Sequence, residues 1–72
     1  MTIYYIKCPS GYWAGAYIPD RIHIYKDEKE EASKYFSKEE AHGTATSWTK
    51  SEYVETQLEK FTIEEVEYYE VH

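Results

Sequence analysis

Ser37-Lys38-Glu39-Glu40-Ala41-His42-Gly43-Thr44-Ala45-Thr46-Ser47-Trp48 is the stretch that decides the fold. A serine followed three positions later by a glutamate is a capping box: the serine oxygen accepts from an early helix amide, and the glutamate reaches back to the amide of the cap. Beyond the cap, Ala41, Ala45 and Trp48 recur at i, i+4 and i+7, a narrow apolar stripe suited to lying on a sheet. Gly43 inside this helix costs about 1 kcal/mol relative to alanine. One main helix is therefore expected here, capped at Ser37.

Outward from that helix the chain reads as strands. Thr2-Ile3-Tyr4-Tyr5-Ile6-Lys7 is dense in β-formers, and Cys8-Pro9-Ser10-Gly11 then supplies turn chemistry. Tyr12 to Ile18 follows as a second strand, whose simple alternation puts Trp13, Gly15 and Tyr17 on one face and Tyr12, Ala14, Ala16 and Ile18 on the other. After the turn at Pro19-Asp20, Ile22-His23-Ile24-Tyr25 continues the meander, and Lys34-Tyr35-Phe36 reads as a further short strand. Beyond the main helix, Thr49 or Ser51 is placed to cap a short helix through Glu52, Tyr53, Val54, Gln57 and Leu58. Phe61 to Val71 reads as the terminal strand. Its apolar residues change parity between Ile63 and Val66, which requires either a bulge near Glu64-Glu65 or apolar cover on both faces. The expectation is α+β: an antiparallel sheet of three to five strands, built from an N-terminal meander and a C-terminal strand, with one main helix on one face.

Seventy-two residues make one small domain spanning 1–72, and a chain of this size buries only about 60% of its unfolded surface. Aromatic residues at 18%, with nine tyrosines, partly offset that shortage of core. The net charge of −6 argues against a general nucleic-acid or anionic-membrane binder, since both rely on cationic surfaces. There is no apolar run near 18 residues and no leader-like segment, and a single cysteine forms no internal disulfide; together these predict a cytoplasmic protein. The charge is unevenly placed. Residues 1–36 carry five basic and five acidic groups, whereas residues 37–72 carry three lysines against nine glutamates, so the whole excess lies in the C-terminal half. Such a face either keeps a small protein soluble or meets a basic partner.

Candidate chemistry is thin. Cys8, His23, His42 and His72 are too widely spaced for a structural zinc site, so no metal or other cofactor is expected. Cys8 has only Lys7 beside it as a basic neighbour and reads as a structural thiol. Glu39 and Glu40 complement the helix dipole. Paired carboxylates elsewhere lack the walled cleft that a glycosidase needs, and Gly11, Gly15 and Gly43 form no phosphate loop. Trp48 reads as core. Trp13, Tyr17 and Tyr25 are the candidates for an open aromatic face that would take a small ligand, a peptide or a second subunit. A homodimer is the expected way for so small a chain to complete its core. On the acidic side, Glu65 and Glu67 project together from the last strand at about 6.6–6.8 Å. Glu64 and Glu70 leave from the other face, and Glu52 and Glu55 precede them. With Tyr68 or Tyr69 adding apolar contact, these residues form the candidate surface for a basic protein partner such as a nucleic-acid-binding enzyme.

The segment Ala32-Ser33-Lys34-Tyr35-Phe36-Ser37-Lys38-Glu39-Glu40-Ala41 resembles a strand-to-helix junction common in small bacterial and phage proteins. Taken with the size, acidity, tyrosine content and single cysteine, the chain looks like a bacteriophage or mobile-element accessory protein. That resemblance implies a host-interaction role, such as inhibiting a host or defence enzyme by imitating nucleic acid. The expected function is thus a non-enzymatic protein-interaction domain with an acidic working surface, the aromatic face around Trp13 and Tyr17 being the alternative.

Overall fold

The computed structural model describes residues 1–17, 19, 22–50 and 58–69. Strands β1 (Thr2–Cys8), β2 (Gly11–Tyr17), β3 (Ile22–Lys26) and β4 (Thr62–Glu67) form one antiparallel sheet in the order β3-β2-β1-β4. Helix α1 (Lys38–Thr49) packs on one face, and short 3-10 turns occupy Lys29–Glu31 and Leu58–Lys60. The α+β reading holds. The short helix expected through Glu52 and Gln57 lies outside the described residues, apart from Leu58, which is fully buried in the core beneath α1.

The helix begins where its cap dictates. Ser37 is extended, and its Oγ accepts from the Glu40 amide at 3.1 Å. Ala41 and Ala45, both fully buried, bring the helix backbone close to Ile6 and Cys8 of β1. Small residues are needed at those positions because the next layer is aromatic. Trp48 stacks at a tilt on Trp13 of β2, ring centroids 6.0 Å apart, and meets His23 of β3 edge-on at 5.7 Å. Cys8 is buried in the same cluster, as a structural thiol should be. On the solvent side of α1, Gly43 has open space where a Cβ would point. Gly43→Ala should therefore raise stability by about 0.5–1 kcal/mol through helix propensity alone. A urea titration would show this as a higher midpoint at an unchanged slope.

The other face of the sheet is covered too. Ile3, Tyr5 and Ala32 are buried there, with Tyr12, Ala14 and Val66 packed around them. This cover comes from the 29–36 segment, which enters the sheet itself. β1 and β2 pair at their hairpin end, Lys7 with Tyr12 and Cys8 with Gly11. Further along, Tyr35 exchanges both backbone hydrogen bonds with Tyr4, at 2.8 and 3.0 Å, while the Ser33 amide donates to the Trp13 carbonyl at 3.3 Å. The expected strand at Lys34-Phe36 is thus one bridging residue between two splayed strands. Double cover also resolves the parity change in β4. Its register against β1 runs unbroken from Thr2↔Glu67 to Lys7↔Thr62, with Ile63 toward the helix and Val66 toward the second cluster.

A bulge does exist, but in β2. Trp13 pairs with Tyr25 and Ala16 with His23, so three steps on β2 match two on β3. The extra residue is accommodated at Gly15, whose φ of +110° suits glycine. Past the bulge every side chain changes face relative to simple alternation. Ala16 therefore joins Trp13 on the helix side, and Tyr17, paired with Ile22, turns to the opposite one.

Candidate functional site

The expected aromatic platform does not assemble. Trp13 is only 3% exposed beneath α1, and its indole Nε1 donates to His23 Nδ1 at 3.1 Å. Tyr25 is half-buried against the helix-side core. Tyr17 is 50% exposed but on the other face, for the reason given by the bulge. Trp13 and Tyr25 thus belong to the helix-side core and Tyr17 to the opposite face.

The acidic residues fall into two groups, because strand alternation separates them. Glu64 points to the second face, where it is neutralised within the chain. Its carboxylate accepts from Tyr12 OH at 2.8 Å and pairs with Lys29 Nζ at 3.0 Å, with Lys7 Nζ at 3.9 Å. Both ammonium groups lie 5.7 Å from the Tyr12 ring centroid, so they also sit on its π-face. Burial disfavours the charge on Glu64, but donation from Lys29 and Tyr12 and the nearby positive charges outweigh it, leaving the carboxyl below its ordinary range. A carboxyl lowered by folding stabilises the native state above its unfolded value near 4.5, and that contribution is lost as pH falls through the lower folded value. Glu64→Gln should accordingly flatten the decline of the urea midpoint as pH is lowered below about 4.5. Glu67, lowered by donation from Thr2 and then by the chain amine, would still contribute to the decline.

Glu65 and Glu67 point to the helix side and stay exposed. Tyr4 OH donates to Glu65 Oε1 at 3.0 Å; Thr2 Oγ1 donates to Glu67, whose other oxygen lies 3.1 Å from the Met1 amine. Donation to Glu65 is the main reason that the Tyr4 phenol is held above its ordinary value, and the charges of Glu39 and Glu67 add to it. Glu39, in the first turn of α1, is a further negative charge felt by the Tyr4 phenol, which its role at the helix dipole alone does not disclose. Glu52, Glu55 and Glu70 lie outside the described residues.

Next to this edge the second face carries an apolar groove of about 370 Å³. Ile3 and the fully buried Tyr5 form its floor, with Met1, Phe36 and Tyr68 around them. Tyr68 is held in place by a 2.7 Å hydrogen bond between its hydroxyl and that of Tyr5. Phe36 is 69% exposed on the groove wall, and Tyr69 beyond it is 84% exposed. At the rim, Lys34 Nζ donates to the Glu30 carbonyl at 2.7 Å. Among the described residues no group of three His, Cys, Asp or Glu side chains could hold a metal ion, and no helix is long and apolar enough to cross a membrane. No family model, no curated protein and no solved structure matches this chain.

Proposed function

We propose that this chain is a non-enzymatic protein-interaction domain that meets a basic partner through the outer edge of β4. The observation that carries the reading is the division of the glutamates. Glu64 is half-buried and spends its charge on Lys29 and Lys7, whereas Glu65 and Glu67 stand exposed at the sheet edge. The Tyr4 hydroxyl fixes Glu65 in position without supplying a countercharge, while Glu67 is fixed by Thr2 and forms an exposed ion pair with the Met1 amine. Preordered, exposed negative charge favours fast association with a cationic surface. A nucleic-acid-binding enzyme has such a surface, and inhibition by imitation of a phosphate row is the form of this function that the phage-type resemblance favours.

The test is capture from bacterial lysate on the immobilised domain, eluted across a salt gradient, beside the doubly charge-reversed variant Glu65→Lys/Glu67→Lys. The expected result is a near-stoichiometric partner released by salt from the wild type and absent from the variant, whose circular dichroism is unchanged. A partner retained equally by both would place the working surface elsewhere.

A further inference from the structure

We propose that the partner binds by adding an extended strand to β4, and that this strand alternates cationic and apolar side chains. The inference rests on the acidic-edge reading above and names the chemistry of what that edge takes. In the order β3-β2-β1-β4, β4 is an outer strand paired with β1 along one side. An added strand would lie about 4.7–4.9 Å away, with successive side chains on opposite faces of the sheet. Residues opposite Glu65 and Glu67 would fall on the helix side, next to two exposed carboxylates. The residue between them would fall on the second face beside Val66, whose partner on β1 is Ile3, the floor of the apolar groove. The edge therefore asks for cation, apolar, cation in consecutive positions. Main-chain hydrogen bonds would give the affinity and this alternation the specificity.

The same charges decide against a second copy as the occupant. β4 paired antiparallel with itself about either of its central residues would set Glu64 opposite Glu64 or Glu65 opposite Glu65, since directly opposed residues share a face, and like charges directly opposed destabilise a sheet. β3 of another copy, Ile22-His23-Ile24-Tyr25-Lys26, has one lysine and no cation-apolar-cation run. A heterologous basic strand is what remains.

The experiment uses two capped eight-residue peptides of equal composition, one alternating lysine and valine, the other four lysines followed by four valines, with binding to the domain read by calorimetry. The alternating peptide should bind at least tenfold tighter. N-methylation of one alternate set of its backbone amides should abolish binding, and methylation of the other set should leave it within a few-fold. Glu65→Gln/Glu67→Gln should weaken it, and the near-isosteric Val66→Thr should narrow the preference for alternation. Equal binding of both peptides, insensitive to methylation, would overturn strand addition and leave the acidic-edge reading standing. Failure of both peptides would overturn strand addition too, and the lysate capture above would then decide the acidic-edge reading by itself.

Discussion

Trp13→Ala is expected to destabilise the domain by about 3–5 kcal/mol, the usual cost of deleting a buried aromatic ring. The side chain sits between α1 and the sheet, in ring contact with both Trp48 and His23. Its removal opens a cavity under the helix and takes the indole donor from His23 Nδ1, a group that is itself buried. Total stability for a chain of this length is on the order of 4–11 kcal/mol, so the variant should lose a large part of its stability. Urea titration followed by far-UV circular dichroism, with Trp48 fluorescence as a second probe, would measure this. Trp13→Phe, which keeps a ring but not the donor, should recover much of the loss. If Trp13→Ala kept the wild-type midpoint, the helix could not be packed on the sheet as described.

Gly11→Ala is expected to be the costliest change of a single methyl group. Gly11 has φ of +142°, and a Cβ there would stand 2.6 Å from the Lys26 carbonyl oxygen, a backbone atom that cannot rotate aside. Such a conformation costs a non-glycine residue about 1–3 kcal/mol before any clash is counted. Relief would require β3 to move from β2 where Tyr12 pairs with Lys26, so the loss should concentrate there. Hydrogen exchange should report it as lower protection of β2 and β3 amides than of β1 and β4. Uniform loss across the sheet would mean that the close approach to Lys26 is not the cause.

Local chemistry made much of this fold legible. The Ser37 cap, the Ala41-Ala45-Trp48 stripe, the hairpin turn before Gly11 and the meander all follow from short-range rules, and each is realised. What the sequence concealed was long-range. Nothing near Tyr35 signals that it bridges to Tyr4 between two splayed strands, because that contact depends on how far β1 and β2 diverge. Gly15 carried the one available hint of the bulge that separates Tyr17 from Trp13, since a glycine within a strand often marks one. Parity alone did separate Glu64 from Glu65 and Glu67. It could not reveal that Lys29, 35 positions earlier, would neutralise the first, or that the chain amine would pair with Glu67. Charge counts along a chain give the excess; only the fold says which charges are already spent.

The most direct test of the binding surface is an amide chemical-shift titration of the isotope-labelled domain with the alternating lysine-valine peptide. Binding at the outer edge of β4 should shift the amides of Thr62 to Glu67 and move the Tyr4 ring signals, through the hydroxyl that Glu65 accepts from, while β3 stays still. Shifts confined to Ile22 to Lys26, or to the helix face around His42, would contradict that site and place the interaction on another part of the molecule.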